Sequence, residues 1–211
     1  MSNSPYLLFD LDGTLVDSLP DLTLALNLLR EELNLAPFQQ QQVHSMVGDG
    51  ATVLVKKALG EELYATQHLM RFMDIYDQHL LDNTRCYPGI KDLLASHPAE
   101  KMAVVTNKPY ALTIKLLEGL NIKDSFKAII GGDSLKHKKP HPLPVQDALI
   151  QLNAKPEQAV MIGDHHTDIN SGRTAGTAIC FCDYGIGHHD NLEYDFYAQQ
   201  ATDLLTLFPG L

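Results

Sequence analysis

The chain has no tryptophan, only three cysteines and few cations, with 16 Lys+Arg against 26 Asp+Glu in 211 residues and a formal net charge of -10. Each scarcity excludes something. An odd, small number of cysteines predicts free thiols in a reducing compartment, so the expected location is cytoplasmic. The negative balance argues against a general nucleic-acid surface, which needs positive potential. Any anion site must therefore be built locally, because the densest basic run, Lys136-His137-Lys138-Lys139, is too short to reverse the field. No run of about 18 apolar residues occurs, so no membrane-spanning helix is expected. Met1-Ser2-Asn3-Ser4-Pro5 lacks the basic and apolar regions of a signal peptide. What is present, 45% apolar and 20% charged residues, suits one α/β core with room for a small insert.

The stretch from Tyr6 to Ser18 organises the rest. Four apolar residues, Tyr6-Leu7-Leu8-Phe9, run into Asp10 and then Asp12, which reads as a strand buried on both faces in a parallel sheet. Gly13 lets the chain turn sharply after them. Two carboxylates at the mouth of a buried strand repel each other and lose hydration, a cost that a cation, a proton or a substrate must offset.

Beyond it, Pro20 to Leu35 reads as a helix from the spacing of Leu22, Leu26, Leu29 and Leu33. Pro37 and the glutamines 39–42 read as a connection. Asp49 is placed to cap a short helix closed by Gly60, and Glu61 to Leu81 reads as a longer one. Residues 19–87 show no strand pattern. From Tyr87-Pro88-Gly89 onward strands and helices alternate: strands at Met102–Val105, Phe126–Ile130, Ala159–Ile162 and Thr177–Phe181, with a weak strand-helix pair near Asp195 to Phe208. That alternation predicts an α/β fold, a Rossmann-like parallel sheet flanked by helices, with an inserted small helical domain. The expected division is a core of residues 1–17 and 86–211 and an insert of residues 18–85.

Four strands deliver polar residues just past their carboxyl ends: Asp10 and Asp12, Thr106 and Asn107, Lys139, and Asp164 with Asp168. Ligands of open α/β sheets bind outside that edge, so these groups are expected to converge. The inventory is carboxylates, one ammonium, one hydroxyl and one amide. With four carboxylates, one ammonium and one Mg²⁺, the site stays negative before a phosphate arrives. This implies an obligatory metal and a protonated carboxyl when substrate is bound. An oxygen-rich set favours Mg²⁺ over zinc. No Gly-x-Ser-x-Gly, Gly-x-Gly-x-x-Gly or Walker pattern occurs.

Asp10-Leu11-Asp12-Gly13-Thr14, Thr106-Asn107, Lys139-Pro140-His141-Pro142 and Gly163-Asp164 with Asp168 resemble, in order, the four motifs of haloacid dehalogenase-like hydrolases. The resemblance covers essentially the whole chain. The insert, Asp17-Ser18, Val47-Gly48-Asp49-Gly50 and Tyr87-Pro88-Gly89 resemble the phosphoglycolate phosphatase branch. The resemblance implies a Mg²⁺-dependent phosphomonoester hydrolase acting on a small phosphorylated metabolite as monomer or homodimer. It implies Asp10 as nucleophile, and Asp12 as general acid and base with its carbonyl on the metal. Thr106, the amide at Asn107 and Lys139 would serve the phosphoryl group, Asp164 would be a metal ligand, and Asp168 would bind or orient metal-bound water. Within the superfamily the alternatives are phosphatases of N-acetylmuramate 6-phosphate or pyrophosphate, and a β-phosphoglucomutase-like phosphotransferase. A phospho-receiver module would share the sheet, Asp, Thr and Lys, but would need neither Asp12 nor a cap.

One departure is His165, followed by His166, where the family often has Ser after its metal-binding Asp. His165-His166, His188-His189 and Cys180-x-Cys182 invite zinc, yet none shows a normal zinc-ligand spacing. Cys180 and Cys182 read instead as buried thiols on one face of a strand.

Overall fold

The computed structural model describes residues 4–210; Met1–Asn3, part of the stretch read above for signal features, and Leu211 lie outside the described residues. In chain order the elements are β1 (Tyr6–Phe9), β2 (Val16–Asp17), α1 (Leu19–Glu32), α2 (Gln40–His44), α3 (Ala51–Leu59), α4 (Thr66–Gln78), β3 (Arg85–Cys86), α5 (Ile90–Ala95), β4 (Met102–Val105), α6 (Tyr110–Gly119), β5 (Ala128–Ile130), α7 (Leu143–Leu152), β6 (Ala159–Gly163), α8 (His166–Ala175), β7 (Ala178–Cys182), β8 (Phe196–Ala198) and α9 (Asp203–Leu207).

Six strands form one parallel sheet in the order β5-β4-β1-β6-β7-β8. The apolar strand β1 takes the middle, hydrogen-bonded to β4 on one side and β6 on the other. Its side chains alternate between two cores, as the period of a strand requires. Leu7 and Phe9 join Met102, Val104, Val160 and Ile162 on one face, under α5, α6 and α9. Leu8 joins Ala103, Val105 and Met161 on the other, under α7 and α8. Apolar residues on both faces are what a covered parallel sheet needs. Cys180 and Cys182 share the first face as buried free thiols.

Helices α1–α4 lie between β2 and β3, which pair antiparallel, Val16 with Cys86 and Asp17 with Arg85. This ribbon contradicts the reading of residues 19–87 as strand-free; two-residue strands leave no periodic signal. Of its strands, β2 ends at the expected boundary 17/18 and β3 spans the one at 85/86. The buried Asp21 of α1 secures the return. Its carboxylate accepts from Asn83 N and Nδ2 and from Thr84 N and Oγ1, at 2.7–3.0 Å.

The helix ends also differ from the sequence reading. Gln39–Gln42 form a reciprocal cap that starts α2 rather than a plain connection. Gly50, not Asp49, caps α3, which frees the Asp49 carboxylate for side-chain contacts. The expected helix from Glu61 starts only after Ala65, whose extended backbone cannot belong to it.

Candidate active site

The seven residues singled out by sequence gather at the carboxyl edge of β1, β4 and β6. Gly13 makes the first crossing tight, with φ at +83° and a position where a Cβ would run into Asp164 Oδ2. Asp10 Oδ1 accepts from Leu11 N at 2.7 Å and meets Lys139 Nζ at 3.0 Å. Lys139, buried to 1% exposure, also donates to Asp168 Oδ1 at 2.5 Å and to the Val105 carbonyl at 2.6 Å. Asp168 Oδ2 accepts from His165 N at 3.1 Å, so both its oxygens are engaged. Asp164 Oδ1 accepts from Thr14 Oγ1 at 3.0 Å, and Oδ2 from Ile186 N at 2.9 Å and Gly187 N at 2.8 Å.

Thr106 and Asn107 line the same cleft as Asp10, Asp12 and Asp164. Thr106 Oγ1 accepts from Lys108 N at 3.2 Å, leaving its hydrogen to donate elsewhere. Asn107 Nδ2 donates to the Lys139 carbonyl at 3.0 Å, and its buried Oδ1 has no partner among the described residues.

Charge crowding shows in the titration of these groups. Burial pushes the Asp10 carboxyl up to about 6, with Lys139 pulling it down and Asp168 pushing it further up. Burial and then repulsion by Asp10 and Asp168 push Asp164 up to about 8. Burial lowers the Lys139 ammonium, but Asp10 and Asp168 more than reverse this and leave it raised. Asp10, Asp164 and Asp168 each offer an oxygen, all within 4.8 Å of one another. Such a set fits a hard divalent cation, which would relieve the repulsion. The Asp12 carboxylate turns away from this group. No hydrogen bond reaches its backbone carbonyl among the described residues.

The Asp12 carboxylate meets a group that sequence reasoning missed. Lys108, 6% exposed, donates to both Asp12 oxygens, at 3.0 and 3.1 Å, and to Tyr76 Oη of α4 at 2.6 Å. Asp12 and Tyr76 more than reverse the cost of burial and raise the lysine's pKa, while burial pushes the Tyr76 hydroxyl up to about 12. The site thus holds two ammonium groups, not one, and a divalent cation would bring its four ionised carboxylates to neutrality. Lys108 was findable as the next residue after Asn107 at a strand's carboxyl edge. Tyr76 was not, because at helical spacing from Phe72, on which it stacks at 5.8 Å, nothing local separates a packing aromatic from one that meets an ammonium.

The profile of the haloacid dehalogenase-like hydrolase family matches residues 7–182. A phosphoglycolate phosphatase of Chromobacterium violaceum is 38% identical over 208 residues, covering 94% of each chain. One from Colwellia psychrerythraea is 40% identical over 197 residues, covering 88% of this chain and 87% of its own. The crystal structure of a predicted phosphoglycolate phosphatase from Haemophilus somnus 129pt superposes with a TM-score of 0.86 at 30% identity, covering 98% of this chain and 99% of that one. With this sheet, this carboxylate cluster and these matches over nearly its full length, the chain belongs to the haloacid dehalogenase-like hydrolase family.

Proposed function

We propose that the chain is a Mg²⁺-dependent phosphomonoester hydrolase of a small phosphorylated metabolite, 2-phosphoglycolate foremost, working through an aspartyl-phosphate on Asp10. The observation that carries the reading is the state of that carboxylate. Oδ1 is held by Leu11 N and Lys139 Nζ, while Oδ2 receives no hydrogen bond among the described residues. One oxygen fixed and one bare suits a nucleophile aimed into a cleft.

In the first step Asp10 attacks phosphorus, the P–O ester bond breaks, and the leaving alkoxide takes the proton of the Asp12 carboxyl. In the second, Asp12 takes a proton from water, the water oxygen attacks phosphorus, and the Asp10–phosphate bond breaks. Thr106 and the amide at Asn107 hold phosphoryl oxygens, and Lys139 screens Asp10 from their charge. Asp10, Asp164 and the carbonyl of Asp12 would hold Mg²⁺, with Asp168 binding or orienting a water. When bound, the cation supplies the charge that lets carboxylates and phosphate share one site.

The substrate follows from the names of the relatives and from Lys108. Lys139 is committed to Asp10 and Asp168, whereas Lys108 lies in the cleft wall beside Tyr76 and Asp12. Once Asp12 carries its proton, Lys108 is released to meet a second anionic group such as the carboxylate of phosphoglycolate. Residues 18–85 act in this reading as a cap over a core of residues 1–17 and 86–211, opening at the β2–β3 ribbon for exchange. No helix among the described residues is long and apolar enough to cross a membrane, in keeping with a cytoplasmic metabolite enzyme.

The test is phosphate release from a panel of phosphomonoesters, with Mg²⁺ or a chelator, beside Asp10→Asn. Expected is metal-dependent release, best by kcat/KM for 2-phosphoglycolate, reduced on the order of 10⁴-fold or more in the variant. Equal release from wild type and variant would overturn the role of Asp10. A better substrate without a second anionic group would overturn the role of Lys108.

A further inference from the structure

A second ligand-bearing cluster sits at the mouth of the cleft, where the insert meets α8. Asp49, from the loop before α3, and His165 and His166, at the start of α8, each offer one ligand atom within 4.8 Å of the others. His166 Nε2 faces Asp49 Oδ1 at 3.7 Å. The His165 ring is 2% exposed, and its Nε2 has no partner among the described residues. Gly48 is what lets the loop approach, because a Cβ there would strike the face of the His165 ring over its Cδ2–Nε2 bond.

We propose that Asp49 Oδ1, His165 Nε2 and His166 Nε2 form a site for a borderline d-block cation such as Zn²⁺, distinct from the carboxylate site, which ties the insert to α8. Two imidazoles and one carboxylate are a normal zinc donor set with a fourth position left for water, whereas Mg²⁺ prefers oxygen throughout. Bonds of about 2.0–2.2 Å on one ion require the donors to close by about 1 Å from their present spread. Metal on Nε2 commits the other nitrogen of His165 to carry the proton. That nitrogen lies 3.0 Å from Thr167 Oγ1, which accepts its N–H once the long 3.4 Å bond that it receives from Thr167 N at the start of α8 is given up. Lys57 meets Asp49 Oδ2 at 3.2 Å and leaves Oδ1 to the cation, though its charge opposes binding. The sequence pattern hid the site because its third ligand comes from a distant stretch and not from a local spacing.

Binding of Zn²⁺ alone to the full chain, by equilibrium dialysis in excess Mg²⁺ without substrate, tests the site independently of any phosphatase activity. Expected is one Zn²⁺ per chain that Mg²⁺ does not displace and that survives Asp10→Asn. Affinity should fall about 100-fold in Asp49→Asn and in His166→Gln, and tighten in Lys57→Gln. His137→Gln, in the separate stacked pair with His141, should leave it unchanged. Co²⁺ as a probe should give the visible absorption of a four-coordinate centre in the wild type and not in His166→Gln. Displacement by Mg²⁺, loss in Asp10→Asn, or unchanged affinity in both ligand variants, with melting curves showing them folded, would overturn the proposal.

Discussion

Lys139 and Lys108 are both buried ammonium groups facing carboxylates of one cleft, yet they belong to different kinds of structure. Lys139 binds Asp10, Asp168 and the Val105 carbonyl, all supplied by the sheet and the elements that cover it. Lys108 joins Asp12 at the sheet edge to Tyr76 of α4, so its contacts cross from the core to the insert. One of Lys139's carboxylates, Asp168, is 1% exposed, while its other, Asp10, is 13% exposed and Asp12 is 18% exposed. The first lysine is part of the floor and cannot let go without leaving charges buried. The second is a contact that can be made and broken while the fold persists, which suits the substrate contact proposed for it.

The comparison breaks most visibly at Lys139. Lys139→Met strands buried carboxylates and should cost about 3–5 kcal/mol. For a chain of this size that lowers Tm by roughly 10 °C or more, measured by thermal melting in chelator. Lys108→Met should cost clearly less, because water can reach Asp12; equal losses would erase the distinction between the two lysines.

Next in size is the effect of the cation on the floor. The Asp10 and Asp164 carboxyls, raised to about 6 and about 8, lie above the ordinary unfolded value of about 3.9. In chelator, stability should therefore fall as pH rises through those values, because ionisation is penalised in the folded state. Mg²⁺ at about 100 times its Kd should restore about 2.7 kcal/mol, with a larger gain at pH 8 than at pH 5. Denaturation with and without Mg²⁺ across that range checks the sign.

Asp21 has the opposite sign. Burial pushes its carboxyl up, and hydrogen bonds from Asn83 and Thr84 more than reverse this, leaving it below the ordinary value. Its stabilisation is present above an unfolded pKa of about 3.9 and is lost as pH falls through the depressed folded value. Asp21→Asn should cost about 2 kcal/mol at pH 7 and flatten that part of the acid limb. Denaturant titrations at pH 7 and pH 3 read both effects.

The smallest change sharpens the comparison at the insert. Tyr76→Phe removes one hydroxyl from Lys108 and should cost about 1 kcal/mol. Amide exchange should then quicken in α4 and in the β2–β3 ribbon while β1 stays protected. Equal quickening in β1 would mean that the insert and the sheet open as one unit.

The sheet and its floor were legible because their signals are local. An apolar run ending in Asp10 and Asp12, and three later strands each followed by a polar residue, state the fold and the edge at once. The parallel sheet then brings distant strand ends together by rule. The two-residue strands β2 and β3 were not legible, since nothing so short carries a period. Tyr76 was hidden for a related reason: on an amphipathic helix a tyrosine facing a core and one facing an ammonium occupy the same positions.

What the sequence determined by itself is the chemistry at the end of each strand, because strand burial and chain order leave those residues nowhere else to go. Only the tertiary structure decided which charges meet across the boundary between insert and sheet. Lys108 with Tyr76, and Asp49 with His166, depend on how α3 and α4 are set against the sheet edge. That placement comes from packing summed over many apolar side chains, and no local spacing records it.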